Sequence, residues 1–497
     1  MRYLSTRGEA TKISGAEAIV RGLSDDGGLF VPDSFPTIGM DKITELTEKT
    51  YAKRAADVTS LFLDDFTELQ LDEFSTKAYC ESNFSDIDIA PVRKIDDNTH
   101  FLELWHGPTC AFKDMALQIM PYMLTASLRK TGEKRDVCIL VATSGDTGKA
   151  ALEGFCDVSG TKIMVFYPRD GVSKVQELQM TSQRGDNVNV VSVEGNFDDA
   201  QNGVKAIFSD VDFRAELGGL GSFLSSANSI NWGRLVPQVA YYISAYCDLL
   251  KHGEITPGEK VNFCVPTGNF GNILAAYYAE KMGLPINKLI CASNRNDVLT
   301  QFINTGVYDK NRPFYTTVSP SMDILISSNL ERLLFESTGK DGGAVKAFMS
   351  ALSSEGRYSI PDTLRGELSR VFACGHCSEA ETKETIGHTF NKYNYLIDTH
   401  TAVAYKVLDD YRAKTGDDTT AVVVSTASPF KFCEAVLEAL DVPTEGSGAM
   451  LIDALFEKTG FTVPAPLSKL KDQIPRFDES VAVSGMKAAV RRFIGGE

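Results

Sequence analysis

The chain has 497 residues, 43% hydrophobic and 23% charged, enough ordinary globular sequence for two or three domains with cores of their own. Its net charge of −16 argues against a nucleic-acid partner, so any anionic ligand must be held by helix N-termini or a few placed cations rather than by a basic face. No apolar run approaches the ~18 residues that would span a bilayer, and Met1-Arg2-Tyr3 leads into polar sequence rather than a signal peptide's apolar core.

Residues 1–95 read as a separate, mostly helical N-terminal region. ISGAEAIVRGLS has helical spacing, DDGGLFVP is a turn into a short strand, and DKITELTEKTYAKRAADVTSLFL repeats apolar residues at three- and four-residue intervals. Ser5-Thr6-Arg7-Gly8 could reach an anion, but a polar turn is the simpler reading, and no catalytic cluster is visible in this region. From residue 96 the rhythm becomes strand, loop, helix. THFLELW is a strand; KDMALQIMPYMLTASLRKTG is a helix ending at Gly132, in which Pro121 predicts a kink or break. RDVCILVA, KIMVFYP, NVNVVSVEG, KVNFCVPTG and KLICASN follow as buried strands alternating with helices, with a long helix in SSANSINWGRLVPQVAYYISAYCDLLKHG. Near the C-terminus TTAVVVSTASPFKFCEAVLEAL repeats strand, polar turn, helix. This alternation predicts an α/β fold with parallel sheets and helices on both faces. Residues 310–395 resist assignment and are expected to decorate the main sheet.

The ten cysteines are scattered, mostly in apolar segments, as expected for reduced, buried thiols in cytosol. Cys374-Gly375-His376-Cys377 has the spacing of a redox dithiol or half of a zinc site. Its surroundings read as helix and turn, and no second CxxC exists to complete four metal ligands, so no metal is expected.

Chemistry concentrates elsewhere. In LWHGPTCAFKDMAL (residues 104–117), Lys113 follows a Gly107-Pro108-Thr109 turn and opens a helical pattern beside Phe112. Burial and a helix N-terminus both lower a lysine's proton affinity, which suits an amine that reacts with an aldehyde cofactor. Three polar turns then lie at the carboxyl ends of buried strands, where open α/β sheets bind ligands: TSGDTG (143–148), GNFGN (268–272) and STASP (425–429). The GNFGN turn suits a phosphate, because glycines let the backbone approach and free amides at a helix start point at the anion. It is neither a dinucleotide fingerprint nor a Walker loop.

HGPTCAFKD, ATSGDTG, NSINWGRL, PTGNFGN and STASPFKF, in this order, resemble the threonine synthase family in its longer, fungal-like class. STRG, DGGLFVP and IDTHTAVAY (397–405) are similar to it as well, so the resemblance covers essentially the whole chain. It implies a type II pyridoxal-phosphate fold, like the tryptophan synthase β chain, with two parallel-sheet lobes beside the N-terminal helical region. The implied division is an N-terminal region at 1–95, a large cofactor domain from 96–130 and 255–497, and a smaller closing domain at 131–254. The implied cofactor is pyridoxal 5'-phosphate. Lys113 then matches the Schiff-base lysine, Gly268, Asn269, Phe270, Gly271 and Asn272 the cofactor-phosphate loop, and Thr426 the hydroxyl beside the pyridine nitrogen. For the substrate, Ser144, Gly145 and Thr147 match the carboxylate loop, and Asn228, Ser229 and Arg234 the set that takes the leaving phosphate. Lys174, in VSKVQ, is a further candidate whose plainer reading is a solvated helix lysine. Asp146, a carboxylate among anion sites, has no evident role in the sequence.

The implied reaction turns O-phospho-L-homoserine and water into L-threonine and phosphate by γ-elimination and β-addition of water, in a cytoplasmic monomer or homodimer without nucleic-acid or membrane partners. Two rival readings remain: a phospho-lyase or dehydratase that releases a 2-oxo acid, and a non-catalytic protein that binds pyridoxal phosphate or phosphorylated amino acids.

Overall fold

The apolar runs that read as buried strands form two sheets in the computed structural model, which describes residues 1–495. The larger has six strands in the order Phe372–His376, Ile286–Ser293, Val261–Pro266, Ala421–Ser425, Thr99–Glu103, Val92–Lys94. All pairings in it are parallel except the last, where Val92–Lys94 runs antiparallel along one edge. The smaller has five parallel strands: Ser480–Ala482, Val188–Glu194, Thr161–Pro168, Asp136–Ala142, Ser222–Ser225. Central strands such as Val261–Pro266 and Ala421–Ser425 are buried along their whole length. That burial is why their sequences are continuously apolar rather than alternating.

The 20-residue helix Trp232–Lys251 runs through the interior. Its first residue, Trp232, is fully buried against Tyr3, Phe62 and Tyr278, so it joins the N-terminal region to the rest of the core. The N-terminal region itself holds helices Gly15–Arg21, Met40–Thr47, Tyr51–Ser60 and Glu68–Ala78, with strand Tyr3–Ser5 paired to Phe30–Pro32. Ser14 starts the first of these helices through a reciprocal capping box with Glu17.

Three expectations change. The helix expected over 113–132 is two helices, Asp114–Leu117 and Met120–Thr131; Pro121 sits in the first turn of the second, where its missing N–H costs nothing, and Gly132 ends it in the left-handed region (φ 72). The segment around Cys374 is not helix and turn but an edge strand, Phe372–His376, paired to Ile286–Ser293. Its short run of small residues between two helices hid it. Burial pushes the Cys374 and Cys377 thiols up to about 11, opposite to an activated redox pair. Finally, the last strand and helix, Ser480–Ala482 and Met486–Gly495, pack on the five-stranded sheet, so residues 255–497 do not all accompany the larger sheet. All ten cysteines are free, and among the described residues no helix is long and apolar enough to cross a membrane.

Candidate active site

A cavity of about 940 Å³ opens between the two sheets, lined among others by Lys113, Ser144, Thr147, Asn228, Ser229, Arg234, Gly268–Asn272 and Thr426. Sequence-distant residues are thereby brought to one wall.

Lys113 is set by the turn before it. Asp114 accepts from the Thr109 amide (2.9 Å) and hydroxyl (2.7 Å), closing the 107–109 turn over the start of its own helix. Burial pushes the Asp114 carboxyl up to about 6, against the pull of those two donors. Lys113 precedes a helix of only four residues, too short for a helix dipole to matter. Burial instead lowers its proton affinity, working against the Asp146 carboxylate. Its Nζ lies 3.1 Å from Asp146 Oδ2, 3.3 Å from Ser321 Oγ and 4.5 Å from the Phe112 ring centroid.

Asp146, unexplained in the sequence, lies behind this amine. Its Oδ1 is 2.7 Å from Lys431 Nζ and accepts from Gln176 Nε2 at 2.8 Å. Burial opposes the Asp146 charge, but the Lys113 and Lys431 ammoniums override it and hold the carboxyl far below the usual range.

The GNFGN turn has the form expected of an anion cradle. Phe270 takes φ 62 and is buried, which swings the backbone into the helix Gly271–Met282. The amides of Gly268, Asn269, Phe270, Gly271 and Asn272 find no acceptor among the described residues. A side chain at Gly268 would strike the Ser321 carbonyl oxygen at 2.5 Å, so only glycine lets these two backbones meet. Asn272 is oriented by the Tyr241 and Tyr242 hydroxyls, both donating to its Oδ1, while its buried Nδ2 has no partner. A buried donor left open costs roughly 1–3 kcal/mol, which a bound phosphate would recover. Thr426 lines the cavity with a hydroxyl that makes no hydrogen bond among the described residues. An open donor-acceptor, a row of open amides and a buried amine, all lining one cavity, fit pyridoxal phosphate.

The substrate set is rearranged in part. The Ser144, Asp146 and Thr147 amides are open at the start of helix Asp146–Phe155, but Gly145 N–H is spent on Thr143 Oγ1 (3.0 Å). Gly145 therefore shapes the loop (φ 125, packed on Gln176) instead of donating to a ligand. Asn228 Oδ1 and Arg234 Nε are buried without partners. Among the described residues no carboxylate lies within ion-pair distance of Arg234; its Nη1 donates to Ala227 O at 2.7 Å, and burial pushes it down to about 10 against the more distant pull of Asp114. Ser229 sits against Gly271 and accepts from Asn329 Nδ2 at 2.8 Å, which sets it beside the 268–272 turn. Lys174 is on the surface, 3.2 Å from Glu434, outside the cavity.

Several wall residues escaped the sequence reading. Residues 20–25 and Gly27 line the cavity, although no site was visible in the N-terminal region. Ser5-Thr6-Arg7-Gly8 turns out to be structural: Arg7 clamps Glu331 through two 2.8 Å hydrogen bonds and Thr6 donates to the same carboxylate. Ser321 comes from the unassigned 310–395 segment. Its amide donates to His400 Nε2 (3.2 Å), whose Nδ1 bonds Asp398 Oδ2 (2.8 Å), so the network assigns the ring proton to Nδ1. His400 and Lys431 did carry a signal, since both fall in stretches that resemble the family.

Comparison with known proteins bears on the whole chain. The family model "Pyridoxal-phosphate dependent enzyme" matches residues 93–427, "Threonine synthase N terminus" matches 2–79, and "Threonine synthase, C-terminal" matches 401–494. Threonine synthase-like 1 of Homo sapiens is 44% identical over 86% of this chain, and the chain spans only 58% of that relative's length. Threonine synthase of Pseudomonas aeruginosa is 39% identical over 88% of this chain and 90% of its own. The crystal structure of pyridoxal-phosphate-bound threonine synthase from Brucella melitensis superposes with TM-score 0.86 at 38% identity, covering 99% of both chains.

Proposed function

The chain belongs to the threonine synthase family of pyridoxal-phosphate-dependent enzymes, and from that premise we propose that it converts O-phospho-L-homoserine and water into L-threonine and phosphate. The observation that carries this reading is the shared cavity: the Lys113 amine, the open amides of residues 268–272 and the buried Arg234 guanidinium all face one space.

When bound, the cofactor supplies an electron sink conjugated to the substrate's α-carbon. Lys113 would hold its aldehyde carbon, residues 268–272 its phosphate, and the Thr426 hydroxyl its ring nitrogen. A neutral hydroxyl there does not enforce ring protonation, as a carboxylate partner would. The Ser144 and Thr147 amides, at a helix start, are matched to a substrate carboxylate. Arg234 and the Asn228 side chain, both with unfilled buried polar atoms, are matched to the departing phosphate. Lys113, once free, is the general base and acid for protons at the substrate's α- and β-carbons; its lowered proton affinity suits both roles near neutral pH. Approach of the five-stranded sheet toward the larger one would narrow the cavity and exclude bulk water from it.

The test follows phosphate and threonine together from O-phospho-L-homoserine. Equal yields of the two support the proposal. Phosphate with 2-oxobutanoate replaces it with the phospho-lyase reading, and tight binding without turnover replaces it with the binding-protein reading. Borohydride reduction and peptide mapping should place the cofactor tag on Lys113; a tag on any other lysine removes it from its role.

A further inference from the structure

Two buried lysines share one carboxylate in this site, and only one of them faces the ligand space. Lys113 lines the cavity, whereas Asp146 and Lys431 lie behind its wall. Lys431 is wholly buried on the short 3₁₀ turn Pro429–Lys431, which continues from the end of the third polar turn. Its Nζ is 2.7 Å from Asp146 Oδ1 and donates to Thr109 O at 2.8 Å, in the turn that precedes Lys113. Gln176 Nε2 fills the same Oδ1 at 2.8 Å, which leaves Oδ2 aimed at Lys113 and Ser321.

A lone buried carboxylate 3.1 Å from Lys113 would fasten the proton on that amine, since an opposite charge so close favours the charged form. An amine that must react as a nucleophile needs that pull offset. Asp146 faces the converse problem: when Lys113 gives up its charge, a buried anion would be left unpaired. A second cation, closer to the carboxylate than the first and unable to reach the ligand, answers both. We propose that Lys431 is a positioning residue for Lys113, a fixed counter-ion that takes the larger share of the Asp146 charge and lets the neighbouring amine shed its proton near neutral pH. This rests on the reading of Lys113 as the reactive amine. Of the other titratable groups felt by the pair, Arg234 stands on helix Trp232–Lys251 and His400 on helix Thr399–Thr415. The buried Cys110 thiol, which feels Lys431 and Asp146, is pushed up to about 12 by burial.

The experiment is competitive acetylation of the full-length protein, freed of cofactor, across a pH series, with Lys113 labelling quantified by peptide mass spectrometry and folding checked by Tm. Lys431→Gln and Lys431→Met should each raise the Lys113 labelling midpoint by about one pH unit, or roughly tenfold less free amine at pH 7. Lys431→Arg should keep it within about 0.3 units, because it keeps the charge. A purely packing role would move Tm and leave the midpoint alone. An unchanged midpoint in the folded neutral variants, or an arginine variant that shifts as far as methionine, overturns the proposal. Should both neutral variants fail to fold, Asp146→Asn decides: the midpoint must fall, and an unmoved midpoint sinks the shared-carboxylate idea. Because the readout is the charge of Lys113 itself, it stands apart from the borohydride tag, so the two assignments fail separately.

Discussion

Arg234 enters the cavity wall in the first turn of the long helix with its guanidinium buried, its Nε unpartnered and no ion pair among the described residues. A buried cation kept without a counter-ion is costly unless a ligand supplies one. Replacing it with alanine should raise KM for O-phospho-L-homoserine by about 10- to 100-fold, the equivalent of losing one charge-assisted contact of roughly 1.5–3 kcal/mol. Cofactor absorbance should persist, since residues 268–272 are untouched. Steady-state kinetics decides this, and an unaltered KM would take Arg234 out of the substrate site.

Between elements, single side chains act as ties. Arg54, nearly all buried in helix Tyr51–Ser60, donates to the Leu46 carbonyl (2.8 Å), the Thr47 carbonyl (3.0 Å), Ser244 Oγ (2.9 Å) and Asp248 Oδ1 (2.6 Å), binding three helices together. Arg54→Met strands the Asp248 carboxylate, which burial already pushes up. It should cost about 3–5 kcal/mol in denaturant unfolding, and a loss under 1 kcal/mol would show the tie to be dispensable. The C-terminal strand and helix make a second tie. Ser480–Ala482 covers the open edge of Val188–Glu194, and Met486, Ala489, Val490 and Ile494 complete the core beneath Val191, Val193 and Phe166. Ending the chain at residue 478 should speed amide exchange in Val188–Glu194 and Phe197–Ser209 while the six-stranded sheet stays protected. Uniform protection by mass spectrometry would contradict this.

At the scale of the whole molecule, stability carries a pH dependence set by buried carboxyls. Burial pushes Glu336 up to about 7 against the attraction of Lys340, and its Oε1 has no hydrogen-bond partner. The folded protein therefore holds this proton more tightly than the unfolded chain between about pH 4.5 and 7, and unfolding free energy falls as pH rises through that window. Asp114, pushed up to about 6, adds a contribution of the same sign. Glu336→Gln should flatten part of this slope and stabilise the protein at pH 8 by about 1–3 kcal/mol. Tm values at pH 5 and 8 measure it; a variant with the parent's slope would assign the effect elsewhere.

Much of this molecule was readable without coordinates. Buried strands announce themselves as unbroken apolar runs, and helix starts as capping residues such as Ser14. The turns after strands were visible as well, because glycine chemistry is local. The three turns, which line the cavity, and Lys113 stood out in the sequence for that reason. What the sequence alone determined is thus the alternation of elements, the membership of a family and the residue types at each turn. Contacts across the chain were decided only by the tertiary structure. Ser321 meets Lys113 from 208 positions away, residues 20–25 and Gly27 help wall the cavity, Ser229 turns toward Gly271, and Lys431 shares Asp146. None of these leaves a periodic or short-range trace, since which buried charge pairs with which is settled by how the sheets and helices pack, and that energy depends on distance in space rather than along the chain.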